Sequence, residues 1–357
     1  MTIGAVLLFL PLIFLLWLAN MADKRAQAQP PKRDIAIIGR LFLGLLWLLV
    51  LALGIGAVAM GVAYHRYADL EVMAARYRAQ GLDPKMVIAL MQALPRVGAG
   101  VVALALAGIT LMLSPVRRLI ARIIPIQPNS MVQTVALAYS VLILLNLWLI
   151  IGAGMDTVAQ LTPAPAPSSG PRIINFIWIQ DSALAVMAMI GVGWLSRRNL
   201  RSTLQRLGIV WPSVRQAAIG IGLGVLMAAL LFPLSLLLEK AGVSVNPHID
   251  ELTQKLIGPM MSSLAGIITL GVAAALGEEM VFRGALQPRF GILLTALLFA
   301  LLHNQYGVSL ATLVVFILGL VLGWTRKRIN TTTAMFVHAT YNITLAAISL
   351  LASHWGW

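Results

Sequence analysis

Residues 262–303 read SSLAGIITLGVAAALGEEMVFRGALQPRFGILLTALLFALLH. The charges in this stretch are few: Glu278, Glu279, Arg283 and Arg289. At 1.5 Å per residue, about 20 apolar residues cross a bilayer core of roughly 30 Å as a helix. Pro288 and Arg289 interrupt the run, because a proline after a long helix cannot continue it unbroken. The stretch therefore divides into two spans, 262–287 and 290–304, joined by a turn. In lipid every backbone polar group must be satisfied within its own segment, which makes these spans helices.

The rest of the chain repeats the pattern. Of 357 residues, 60% are hydrophobic and 11% charged, and mean hydropathy is +0.90. A soluble helical core of that size would need far more surface charge. Further apolar runs lie at 2–20, 35–64, 97–114, 131–153, 177–195, 217–238, 307–325 and 333–352, giving about ten spans. The fold class expected is all-α, a polytopic transmembrane helix bundle in a cell membrane, in bacteria the inner membrane. The first run, TIGAVLLFLPLIFLLWLAN, carries no positive residue before it and no small-residue cleavage site, and reads as a retained helix.

The formal net charge of +14 reports topology and not a nucleic-acid partner, since Lys and Arg concentrate on cytoplasmic loops. With the N-terminus outside, the inner loops hold Lys24, Arg25, Lys32 and Arg33, then Arg117, Arg118 and Arg122. They continue with Arg197, Arg198, Arg201, Arg206 and Arg215, then Arg283 and Arg289, then Arg326, Lys327 and Arg328. The outer side has only Arg66, Arg76, Arg78, Lys85, Arg96, Arg172, Lys240 and Lys255. The bias persists loop after loop. Cysteine is absent, which removes disulfides, thiolate nucleophiles and thiolate metal ligands.

The Pro/Ser-rich segment LTPAPAPSSGP at 161–171 favours extended chain and reads as the start of an external linker, 161–176. It separates an N-terminal membrane region, 1–160, of about four helices and unassigned role, from a membrane domain at 177–357. The stretch RRNLRSTLQRLGIVWPSVRQ at 197–216 has five arginines and no acid. It fits either an amphipathic helix on anionic lipid or a solvated loop. Gly220 with Gly224, and Gly319 with Gly323, have the spacing of close helix packing.

Ionisable groups at membrane depth cost about 2.5–3.5 kcal/mol each on insertion scales and face the bundle interior. Successive helix positions point about 100° apart, so Glu278 and Glu279 cannot do the same job. Glu279 and Arg283 are four apart on one face, with the acid N-terminal, and neutralise each other. Glu278 is left available, as a buried general base requires. His303 ends the run FGILLTALLFALLH, and His338 and Asn342 share a face in FVHATYN. From the inner edge, helical rise puts Glu278 at about 15 Å, His303 at about 20 Å, and His338 with Asn342 at roughly 8 to 14 Å. These four converge at similar depth. His65, His248 and His354 fall in loops or at the chain end, and Asp181 stands alone near an outer helix end.

At these residues the sequence resembles the CAAX-protease and bacteriocin-processing family of intramembrane proteases. The family pattern EExxxR, FxxxH and then HxxxN or HxxxD on successive helices stands here as Glu278-Glu279 with Arg283, Phe299 with His303, and His338 with Asn342. FILGLVLG at 316–323 matches the family's Gly-rich helix between the last two motifs. The resemblance covers 262–350 and extends more loosely over 177–261. It implies hydrolysis of a peptide bond in a membrane-associated protein or peptide, with lipid as the surrounding partner. Glu278 and His303 would activate water, His338 and Asn342 would stabilise the oxyanion, and Glu279 with Arg283 would hold the helix. No cofactor is expected; were zinc used, Glu278, His303 and His338 would bind it, although no HExxH is present. A proton-coupled transporter using the same groups as a relay, or a non-catalytic scaffold or immunity protein, are the rival readings.

Overall fold

Helix boundaries follow the capping chemistry of the chain. The computed structural model describes residues 2–30, 34–81, 83–166, 169–241 and 247–355, without the side chains of 2–6, 8, 239 and 352–355. Lys32, Arg33 and the His354 side chain lie outside the described residues. The helices are α1 (Thr2–Ala26), α2 (Asp34–Tyr67), α3 (Leu70–Ala79), α4 (Pro84–Leu111), α5 (Ser114–Ile120) and α6 (Met131–Ala153). Then come α7 (Met155–Leu161), α8 (Gly170–Gly191), α9 (Leu200–Leu207), α10 (Val214–Lys240) and α11 (Pro247–Met261). The chain ends with α12 (Leu264–Glu279), a π-helical turn (Met280–Leu286), α13 (Gln287–Leu302), α14 (Leu310–Arg328) and α15 (Thr331–Trp355). No strand forms among the described residues. Asp69, Asp83, Ser130, Asn199 and Ser263 each accept a backbone N–H at the start of the helix that follows, as N-cap side chains do.

Among the described residues, eight helical stretches are long and apolar enough to cross a membrane. One of them, Leu264–Leu302, covers all but the outermost two residues of both spans read from the opening stretch. In a straight helix Arg283 and Phe299 would be about 24 Å apart. Instead the Arg283 guanidinium carbon lies 4.2 Å from the centre of the Phe299 ring, so the chain folds back between them. The reversal is at Gly291, with φ 78° and ψ 172°, a backbone state that glycine adopts without strain. Pro288, where the break was expected, sits in the first turn of α13, where its missing N–H costs nothing. With α1 and this division, the structure accords with about ten spans. Leu41, Leu45, Leu49 and Leu53 form one uncovered face of α2, each more than half exposed. Such a stripe belongs against lipid. The protein is a multi-pass membrane protein.

The segments expected inside meet at one end of the bundle. Lys24 donates to the Ser196 carbonyl at 2.9 Å, Asp23 accepts from Ser130 and from the Met131 N–H, and Thr331 N–H donates to Gly208. At the opposite end, Lys255 donates to Ala159 at 2.7 Å and Arg96 to Gly152 at 2.7 Å. Arg283 is a correction to the inner-loop count: it is 1% exposed, inside the bundle. His65 and His248 are also helical and not in loops, in the last turn of α2 and the first of α11.

Small residues set the packing around the site. A side chain at Gly220 or Gly224 would run into Phe336, Thr340 and the Val337 carbonyl of α15. Gly319 and Gly323 bring α14 against Ala296 and Ile292 of α13. Phe282, Phe290, Phe299, Leu318, Leu322 and Val337 share one buried cluster with Leu137 of α6 and Met227 of α10.

Candidate active site

The centre of the site is a buried charge network that joins α12 to α15. Glu279 is fully buried, and its Oε2 lies 3.3 Å from Arg283 Nε. Arg283 also donates to the Gly319 carbonyl at 3.3 Å and lies over the Phe299 ring. The pair expected from spacing therefore forms, even though Met280–Leu286 is wound as π-helix; such wide turns recur at functional sites.

Glu279 is not committed to Arg283 alone. His338 Nδ1 lies 3.0 Å from Glu279 Oε1. A carboxylate can only accept, so Nδ1 carries a proton. The other ring nitrogen, Nε2, lies 4.0 Å from Glu278 Oε2. His338 is thus wedged between the two adjacent glutamates, its orientation set by the inner one. Glu278 Oε2 is buried with no hydrogen-bond partner in the protein, and its side chain is 14% exposed, against none for Glu279. The division of the two glutamates into one braced and one available group is visible in those numbers.

His303 caps the C-terminus of α13 with non-helical backbone. Its Nδ1 donates to the Phe299 carbonyl at 2.9 Å, which leaves Nε2 as the ring nitrogen not engaged with the backbone. The ring stacks with Tyr306 at 6.1 Å between centres and meets Phe299 edge-on at 5.0 Å. Phe299 also meets His338 at 5.7 Å, so a single aromatic ring spaces the two histidines. Asn342, one turn after His338, donates one of its two amide protons to the Leu270 carbonyl at 3.0 Å.

Glu278, His303, His338 and Asn342 all line one cavity of about 1860 Å³. Glu279 and Arg283 do not reach it and stand behind the wall. Among the described residues no three His, Asp or Glu side chains are grouped to hold a metal ion.

One group on the cavity wall was misplaced by the sequence reading. Asp181 is not near a helix end but midway along α8, because that helix begins at Gly170, earlier than the span expected over 177–195. Pro171 is accommodated in its first turn. Asp181 is 2% exposed, its Oδ1 has no hydrogen-bond partner, and it lies within electrostatic reach of Glu278 and His338. Gly277 makes this approach: a Cβ there would sit 2.6 Å from Asp181 Oδ1 and 2.8 Å from its Cα. The signal in the sequence was a lone acid in an apolar span, one of only twelve Asp and Glu in the chain.

Comparison with known proteins bears on the same region. Residues 260–344 match the family model described as type II CAAX prenyl endopeptidase Rce1-like, and all seven motif residues fall inside it. The uncharacterized protein YpbD of Bacillus subtilis (strain 168) is 38% identical over 80 residues, which is 21% of this chain and 42% of that protein. The matching part thus spans less than half of that curated relative. No solved structure matches the chain. The resemblance carried by the three motifs stands on the family model, over α12 to α15, which hold those motifs.

Proposed function

We propose that the protein is an intramembrane endopeptidase of the CAAX-prenyl-protease type, acting on a membrane-associated protein or peptide in the bacterial inner membrane. The observation that carries this reading is Glu278: a carboxylate with an unpartnered oxygen, facing a cavity shared with two histidines and an asparagine, within the stretch that matches the protease family. Glu278 takes a proton from water while the His303 Nε2 lone pair orients that water. The water oxygen bonds to the substrate carbonyl carbon, and the carbonyl oxygen becomes an oxyanion. His338 Nε2, protonated in the imidazolium form, and the remaining Asn342 amide proton face that oxyanion. Collapse of the intermediate breaks the C–N bond, and the proton held by Glu278 passes to the leaving amine. Glu279 and Arg283 act at one remove, fixing His338 and the π-helical turn. The reading is metal-free: each step uses a group of this chain.

The test compares membranes from cells expressing the wild-type protein or Glu278→Gln, by mass spectrometry of new peptide termini. Termini present with the wild type and missing with the variant are expected. Wild-type membranes with no Glu278-dependent termini would overturn the protease reading.

A further inference from the structure

Four arginines that proteolysis leaves unused gather at the arginine-rich end of the bundle. Arg198 precedes α9, Arg206 lies within it, Arg289 is in the first turn of α13, and Arg326 is near the end of α14. Arg206 Nη1 donates to the Gly284 carbonyl at 3.1 Å, which seats α9 against the π-helical turn leading to Arg289. Gly208, the left-handed cap of α9, is packed against the Arg326 side chain: a Cβ there would lie 3.3 Å from Arg326 Nε. That Nε is buried and unpartnered. All four side chains are half-buried. Loss of water, followed by the charges of Arg198, Arg289 and Arg326, brings the Arg206 guanidinium down to about 10, and no carboxylate figures among those influences. Arg198, Arg206 and Arg289 line the same cavity as Glu278, and Arg326 lines a second, smaller pocket beside Pro288.

Guanidinium groups gathered around Arg206, which no carboxylate offsets, repel one another and attract an anion. Their planar forks match phosphate oxygens two at a time. The flanking side chains say where that phosphate comes from. Trp211 is 95% exposed and Val214 88% exposed after α9, and Leu195 and Leu200 are uncovered at its start. Exposed apolar side chains with a tryptophan at the end of a membrane bundle mark the level where lipid headgroups meet acyl chains.

We infer that Arg198, Arg206 and Arg289, on the wall of the cavity that holds Glu278, form with the neighbouring Arg326 a binding site for the phosphate of an anionic phospholipid. The arginine-rich stretch after α8 then acts as a lipid clamp: guanidinium groups take the headgroup, and Trp211 and Val214 lie along the chains. The inference does not depend on the protease reading.

Purified full-length protein in a neutral detergent is titrated with phosphatidylglycerol, phosphatidylcholine and inorganic phosphate, and retained adducts are counted by native mass spectrometry. The wild type should keep phosphatidylglycerol at far lower concentration than phosphatidylcholine. Arg206→Gln with Arg289→Gln should weaken retention by about tenfold or more, the scale of one lost charge-assisted contact. Arg289→Gln alone, which breaks no hydrogen bond within the protein, is the variant to use if the double variant does not fold. Arg118→Gln with Arg122→Gln, at the same end but outside the cluster, should leave retention unchanged. Equal loss in that control, or equal retention of both lipids, would reduce the effect to surface charge and overturn the site. Cluster-dependent retention of inorganic phosphate without phosphatidylglycerol would overturn the lipid assignment.

Discussion

Glu279 holds two partners at once, Arg283 and His338, so its removal should damage the fold more than removal of Arg283. The pair with Arg283 is shut away from water on both sides, at 0% and 1% exposure. Breaking a buried pair by deleting one member leaves the other charge uncompensated, at about 3–5 kcal/mol. Arg283→Met still leaves Glu279 its 3.0 Å contact with His338, though it loses the Phe299 ring contact. Glu279→Ala strands Arg283 and unties His338, adding about 1.5–3 kcal/mol for a hydrogen bond to a charged group. Glu278→Gln touches neither contact and keeps the side-chain shape. The expected order of stability is therefore Glu278→Gln near wild type, then Arg283→Met, then Glu279→Ala. The double variant Glu279→Gln with Arg283→Met removes both charges together and should recover part of the loss. Melting of the detergent-purified proteins, followed by loss of the monodisperse peak on size exclusion, measures all four. Equal melting of Glu278→Gln and Glu279→Ala, or a double variant no better than the worse single one, would refute the assignment of Glu279 as the structural member.

Three further outcomes follow from the same geometry. Asp181→Leu should melt no lower than wild type, because it removes a buried carboxyl oxygen without a partner, yet it should slow cleavage by altering the charge facing Glu278; lower stability with unchanged cleavage would reverse that assignment. Gly277→Val should lower stability by about 1–3 kcal/mol, since any Cβ there meets the Asp181 backbone at 2.8 Å; a variant that melts like wild type would mean α8 and α12 are not so closely packed. For the metal-free mechanism, elemental analysis should find no stoichiometric zinc and cleavage should survive chelation. Zinc at one per chain, with activity lost to a chelator and restored by Zn²⁺, would replace the mechanism and leave the protease reading in place.

Composition and periodicity were enough to assign a helical membrane bundle, because lipid permits few ways to satisfy a backbone and those ways demand long apolar runs. The order of the motifs was legible for a similar reason: Glu279 with Arg283, and His338 with Asn342, are local helix spacings that hold wherever the helix goes. What each group touches was decided by tertiary packing. The chain reversal was anticipated near Pro288, but a positive φ at Gly291 is what lays Phe299 over Arg283. His338 comes to lie between Glu278 and Glu279 from a helix far along the chain, and Asn342 commits a proton to Leu270. The place of Asp181 on the cavity wall depends on where α8 begins and on Gly277, which lets two backbones approach. A span can be recognised from its own residues, since its solvent is lipid everywhere. A site forms among side chains from α8, α12, α13 and α15, and their meeting depends on glycine contacts and helix directions that no single segment encodes.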